Sequence, residues 1–240
     1  MTIEFRPKLV EASFVERLNR FAALVNVNGK EGLAHVPSSG RLKELLLPGA
    51  AVWLRPAYAP SRKTAFTLEV VRAQNGTMVS IDTSMTNRLV ELALREKAIP
   101  PFSECIKVKP EAAYHLSRLD FRLECRGTET WIEVKSVTLV EGGTALFPDA
   151  PTERGRKHLK ELERIVSAGG AASVLFLVQR NDAVRFAPNS EQDPDFAQAL
   201  ASARRAGVQI LAYSCEVTES EITADFDAEL PVFITHSAIT

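Results

Sequence analysis

The spacing of apolar residues changes period once along this 240-residue chain, near residue 82. Before that point, short runs rich in Val, Leu, Phe, Ala and Thr at 9–15, 21–27, 31–36, 50–55, 64–73 and 77–81 read as strands. Asn28-Gly29 and Asn75-Gly76 stand between such runs. Asn-Gly is the strongest short hairpin signal, because both residues accept the positive φ that a tight turn needs. Arg41 to Leu47 carries a short helical pattern, stopped by Pro48-Gly49. About five strands and one short helix fit an OB-like β-barrel, a fold that often holds oligonucleotides.

After residue 82 the period becomes helical. Leu89, Leu92 and Ala93 predict a helix over 83–98, with Ser84 or Thr86 as its cap and Pro100-Pro101 as its stop. Strands are expected at 102–109, 117–125 and 130–140. A helix follows over 151–167, with Pro151 in its first turn, an apolar stripe of Leu159, Leu162 and Val166, and Gly169-Gly170 at its end. Then come a buried strand at 173–179, a helix at 193–206 opening on Asp193 and Asp195 and ending near Gly207, and a last strand at 208–213. The order αβββαβαβ predicts an α/β domain with a mixed sheet. The expected architecture is therefore two domains, residues 1–82 and 83–240.

Hydrophobic residues at 45% and charged residues at 25% exclude a disordered or collagen-like chain. The N-terminus mixes charges with short apolar runs, and no 18-residue apolar stretch occurs, so neither secretion nor a membrane partner is expected. Cys105, Cys125 and Cys215 are odd in number and form no CxxC, which argues against a cysteine zinc site and for a reduced, cytoplasmic setting. The net charge of −1 conceals an asymmetry: residues 1–82 carry +4, 83–180 carry +2 and 181–240 carry −7. A basic body with an acidic last quarter permits a polyanion on one surface only.

The chemistry concentrates in Ser117-Arg118-Leu119-Asp120-Phe121 and Trp131-Ile132-Glu133-Val134-Lys135-Ser136. Side chains alternate along a strand, so Leu119, Phe121 and Leu123 face one way and Asp120 the other, and Glu133 and Lys135 share a face. Pairing through a turn near Gly127 would bring Asp120 and Glu133 together, with Lys135 one pleat along. Two carboxylates and a carbonyl suit Mg²⁺ or Mn²⁺, and a neighbouring lysine can orient a water that attacks a phosphate polarised by the metal. Asp…ExK across adjacent strands, in this element order, is the signature of a PD-(D/E)XK nuclease-like domain. The helix after it brings Arg154, Arg156, Lys157 and His158 near its N-terminus, where phosphate binds well. Arg118 and Ser136 flank the motif as further nucleic-acid contacts, Glu91 on the first helix is a candidate metal acid, and Gln179 is a further candidate for the site. Phe5, Phe14, Phe21, Trp53 and Phe66 are candidates for stacking on bases or for the barrel core. His35, His115 and His236 have no metal-ligand spacing, and GxGxxG, P-loop and GxSxG motifs are absent.

The stretches AAYHLSRLDFRLE, WIEVKSVTLVE, LFPDAPTERGRKHLKEL, LAHVPSSGRLKELLLPGAAVWL and TSMTNRLV resemble the sugar fermentation stimulation protein (SfsA) family over nearly the whole chain. The resemblance implies an OB-like first domain, a nuclease-like second domain, DNA binding, and a part in regulating sugar (maltose) metabolism. It places the family's nuclease-type residues at Asp120, Glu133 and Lys135, and at Glu91. Ser38-Ser39-Gly40 stands where the family usually has Asn-Thr-Gly, and Leu119 where a proline is usual. The functions that fit are a Mg²⁺- or Mn²⁺-dependent phosphodiesterase acting on DNA or RNA, a non-enzymatic DNA-binding regulator with a vestigial metal site, and an interaction scaffold.

Overall fold

The computed structural model describes residues 1–57, 63–115 and 117–234. Its first part holds strands β1 (Thr2–Glu4), β2 (Val10–Asn19), β3 (Ala22–Val27), β4 (Lys30–His35), β5 (Ala51–Pro56), β6 (Phe66–Arg72) and β7 (Met78–Ser80). Strands β2 to β6 lie in the order β4-β3-β2-β5-β6, and parallel pairing of β4 with β6 closes them into a five-stranded barrel. Phe14, Val25, Val36, Leu54 and Leu68 fill it. Both Asn-Gly signals fall at hairpin turns, with Asn28 and Gly29 at φ of 51° and 82°.

One expectation for this part is corrected, and one strand was not foreseen. Arg41–Leu47 is not a helix but a pair of turns, with Leu45 and Leu46 donating to the carbonyl of Leu42. Leu42 sits at a φ of 51°, which breaks the helical path, and seven residues are too few to repay nucleation. Its leucines still serve packing, since Leu42 and Leu45 are buried against the barrel. Strand β1 does not join the barrel either. It pairs with the last strand of the other sheet, Ile3 opposite Ile222.

The second part runs α1 (Thr83–Arg95), a 3₁₀ turn (Pro100–Phe102), β8 (Cys105–Tyr114), β9 (Ser117–Cys125), β10 (Thr128–Val137), β11 (Leu139–Glu141), β12 (Thr144–Phe147), α2 (Glu153–Ser167), β13 (Ala171–Val178), β14 (Arg185–Pro188), α3 (Pro194–Ala206), β15 (Gln209–Val217) and β16 (Glu221–Asp225). A seven-stranded mixed sheet has the order β1-β16-β15-β13-β10-β9-β8, with β10, β13 and β15 parallel. Strands β11, β12 and β14 form a small side sheet. The helices start on caps: Asp82 accepts from the amide of Ser84, Thr152 from Gly155 and Asp193 from Phe196. The cap of α1 is therefore Asp82 rather than Ser84 or Thr86, and Pro151 precedes α2 instead of opening it. The strand expected at 208–213 extends to Val217, and β16 follows it.

Cys105 and Cys125 stand opposite each other on β8 and β9 and form a disulfide. This corrects the expectation of three reduced thiols. The register of the sheet brings the two sulfurs together, which spacing along the chain does not reveal. Cys215 is free and buried. Among the described residues, no helix is long and apolar enough to cross a membrane.

The two parts share a core. Phe5, Leu9, Trp53 and Val70 pack in one cluster with Met85, Leu89 and Val90 of α1 and with Phe121, Ile132 and Leu175 of the sheet. A second cluster lies under α2 and α3, including Trp131, Leu159, Phe176 and Phe196.

Candidate active site in the interdomain cleft

Strands β9 and β10 pair in antiparallel register from Cys125↔Thr128 to Phe121↔Ile132. The next rung would set Asp120 opposite Glu133. Pairing ends there, and the Asp120 side chain takes over the role of the missing ladder: its Oδ2 accepts the amide of Val134 at 2.8 Å. Its Oδ1 accepts Asn87 Nδ2, from α1, at 2.9 Å. Leu119 departs from the expected alternation, packing in the α2 cluster while Phe121 and Leu123 pack in the other.

Glu133 is 3% exposed. Its Oε1 accepts from Lys135 Nζ at 2.5 Å and meets His158 Nδ1 in a short contact. His158 is itself buried, and its Nε2 faces Arg154 Nε at 3.5 Å, which leaves Nδ1 to carry the hydrogen toward Glu133. Glu133 Oε2 is buried without a partner, and so is the Ser136 hydroxyl three residues on.

The two carboxylates differ electrostatically. Burial, followed by the charge of Glu133, pushes Asp120 up to about 6. Burial alone would raise Glu133 as well, but Lys135 and His158 outweigh it and hold Glu133 below the usual carboxylate range. A buried and a half-buried carboxylate that repel each other, one with an unpaired oxygen, have the donor character of a hard-cation site. Among the described residues no group of three or more His, Cys, Asp or Glu gathers as a ready metal cage. Mg²⁺ does not need one, since it commonly keeps several waters and takes one or two carboxylates.

Asp120, Glu133, Lys135 and Ser136 open onto a cleft of about 380 Å³ between barrel and sheet. Thr86 and Asn87 line it from α1, and Arg20 and Ser38 to Gly40 from the barrel. Arg17 staples that barrel loop by donating to the carbonyls of Gly40 and Arg41. From the other side Asp149 Oδ2 accepts the amides of Arg41 at 2.6 Å and Leu42 at 3.4 Å. A Cβ on Gly40 would stand 2.6 Å from that same oxygen, so only glycine lets the latch close.

The other predicted residues separate into three groups. Arg154 lines the cleft and also an adjoining pocket with Ser117, Arg118, Lys157 and His158. In that pocket Arg118 pairs with Glu111. Arg156 is drawn away, paired with Asp193 at the α3 cap. Glu91 also lies outside the cleft lining: it pairs with Arg95 one turn along α1. Asn87, one turn earlier on the same helix face, holds the place expected for Glu91. Gln179 is buried one layer back and donates to Thr86 at 2.5 Å. His35 lies beside Phe21 and His115 beside Tyr114, while His236 falls outside the described residues. The sequence missed Asn87 and Asp149. Asn87 carried a signal in its i,i+4 relation to Glu91, and Asp149 in its place within the FPDA block.

Family models match both parts of the chain: "SfsA N-terminal OB domain" over residues 15–81 and "Sugar fermentation stimulation protein RE domain" over 84–221. A sugar fermentation stimulation protein homolog of Desulforamulus reducens is 48% identical over 212 residues, covering 88% of each chain. One from Acetivibrio thermocellus is 47% identical over 228 residues, 95% of this chain and 97% of the relative. The solved structure of Pyrococcus furiosus SfsA in complex with Ca²⁺ matches with a TM-score of 0.88 at 32% identity, over 97% of this chain and 98% of that one.

Proposed function

The chain belongs to the sugar fermentation stimulation protein family, and from that premise we propose that it binds nucleic acid in the interdomain cleft and cleaves phosphodiester bonds there with a divalent cation. The observation that carries the proposal is the convergence of Asp120, Glu133 and Lys135 at the ladder's end, with Glu133 Oε2 buried and unpaired. The Ca²⁺ complex of the Pyrococcus relative supports a divalent ion in this family.

Asp120 and Glu133 are the residues that would hold Mg²⁺ or Mn²⁺, and the ion would supply Lewis-acid polarisation of the scissile phosphate. Lys135 Nζ lies in the cleft wall, where it orients the attacking water and stabilises its hydroxide form. Asn87 and the Val134 amide fix the Asp120 carboxylate, and His158 fixes that of Glu133. Arg154 and the neighbouring basic pocket hold flanking phosphates.

Labelled single- and double-stranded DNA and RNA incubated with Mn²⁺ test this. Cleavage should require the metal, and Lys135→Ala should lower the rate by roughly 100-fold or more, the usual loss for an acid–base group. Metal-independent cleavage, or full activity in the variant, overturns the proposal.

A second reading, a non-enzymatic DNA-binding regulator of sugar metabolism, draws on the same carboxylate. Lys135 already pairs with Glu133, and His158 hydrogen-bonds it, without a metal ion. It expects metal-free binding that weakens steeply with salt, and no turnover.

A further inference from the structure

We propose that the barrel face around Phe21 is a pocket for one unpaired nucleobase, so that the cleft takes a single strand; this deepens the nucleic-acid reading above and rests on it. Five aromatic residues were candidates for stacking. Phe5, Phe14 and Trp53 are core residues at 5%, 2% and 2% exposure, and Phe66 packs against the barrel cluster. Phe21 alone of the five is an exposed large side chain, at 49%.

Its backbone is anchored on both sides, and its ring has an aromatic and a cationic neighbour. The Phe21 amide donates to Asn19 Oδ1 at 2.9 Å. Its carbonyl accepts the Val36 amide at 2.9 Å and lies 3.0 Å from His35 Nδ1. The His35 ring lies within 27° of parallel to it, and the Arg20 guanidinium stands 5.5 Å from its centre. An exposed π-face on an anchored backbone, beside a cation, is the platform on which single-stranded nucleic acids stack.

The pocket over this ring, of about 580 Å³, is lined by Phe21, His35, Ser39, Arg55, Asp82 and Thr83 among others. Its chemistry selects a base rather than a phosphate. Arg55 is the lining's cation, and its charge is shared by Glu69 at 2.6 Å and Asp82 at 3.8 Å. The rest of the lining brings hydroxyls, the His35 imidazole and the edge of the Asp82 carboxylate, which match the donor and acceptor edge of a base. Among the described residues, positive charge without a carboxylate partner stands beside the ring at Arg20 and further on in the cleft at Arg154.

The pocket is continuous with the cleft, since Ser39 and Thr83 line both. Arg154 joins the cleft to the basic pocket on its far side. A strand on this path rests a base on Phe21, passes its backbone by Asp120 and Glu133, and leaves over the start of α2. A duplex keeps its base faces stacked inside, and offering one to Phe21 costs unpairing.

The test uses the full chain carrying Lys135→Ala, to suppress cleavage, without added metal, and single-stranded DNA and RNA with 2-aminopurine at successive positions. Binding should quench the fluorescence at one position. Adding Phe21→Ala should abolish that quench and weaken single-strand binding by roughly 5- to 100-fold, leaving duplex binding unchanged, whereas Phe21→Trp should restore it. If strands bind with no position quenched, or Phe21→Ala changes nothing, the base pocket is wrong and the cleft reading survives. If no nucleic acid binds, both fall.

Discussion

Glu69 is the most perturbed carboxylate outside the cleft. Its side chain has no exposure, and burial, followed by the charge of Asp82, pushes it up to about 7 despite Arg55. The folded protein therefore binds this proton more tightly than the unfolded chain does. The resulting stability is complete below the ordinary value of 4.5 and is lost as pH rises through about 7. A tenfold difference in proton affinity between the two states corresponds to about 1.4 kcal/mol. Glu69→Gln, an uncharged isostere, should leave stability near that of the native chain at pH 4.5 and gain on it steadily up to pH 7, reaching at most about 3 kcal/mol less whatever the Arg55 pair loses. Denaturant titrations across that range check it, and a constant offset between the two proteins would refute it. At this scale the convergence of Asp120, Glu133 and Lys135 was legible because strand alternation is a local rule, although Leu119 departs from it. The role of His158 was not. Its partner lies 25 residues away, so the sequence made it a phosphate ligand, whereas the fold buries it against Glu133. Glu91 failed for a related reason: Asn87 and Glu91 share a helix face, and only the packing of α1 decides which turn meets Asp120.

Secondary structure was most legible where one signal was strong and local. The Asn-Gly turns, the 3.6-residue stripe of α2 and the Asp193 start of α3 all lie where expected, and α3 ends on Gly207 at a φ of 99°. Arg41–Leu47 misled because its leucines mark contact with the barrel rather than a helical face. Strand β1 was missed because three residues carry no period, and its partner β16 comes more than 200 positions later. Asp193 shows how one cap can serve two helices. It accepts the Phe196 amide of α3 at 2.9 Å and the Thr152 amide before α2 at 2.8 Å, and it pairs with Arg156 of α2. A helix cap is worth about 1 kcal/mol, and hydrogen bonds to a charged group more. Asp193→Ala should therefore cost on the order of 3 kcal/mol, while Asp193→Asn, which keeps the cap, should cost roughly a third of that. In a chain this long such a loss lowers the melting temperature by roughly 6–12 °C. Equal effects of the two variants would show that the side chain acts through its charge alone.

The halves read from the sequence as separate domains are joined in the folded molecule by a common core, with Trp53 and Val70 of the barrel packed beside Leu89 of α1 and Phe121 of the sheet. The charge asymmetry also takes on a direction. The acidic last quarter builds α3, β15 and β16 toward one edge of the sheet, and Asp120 lies on β9 toward the other. On the proposed reading, repulsion from the far edge would guide a polyanion to the cleft side. What the sequence could not convey is how the barrel is clamped at that cleft, because the clamp joins residues about a hundred positions apart. Asp149 grips the amides of Arg41 and Leu42, and Gly40 leaves the room for its carboxylate. Gly40→Ala puts a methyl group 2.6 Å from Asp149 Oδ2, so the carboxylate must yield or the loop must lift. The expected cost is about 1–3 kcal/mol, typical of overpacking. Asp149→Ala removes both the hydrogen bonds and the obstacle. In that background Gly40→Ala should cost less than about 0.5 kcal/mol, so the double variant should be more stable than the two separate losses added together by at least about 0.5 kcal/mol. Chemical denaturation of the four proteins closes the cycle. Strict additivity would mean that the methyl group acts on the loop's own backbone and that Asp149 is not what Gly40 makes room for.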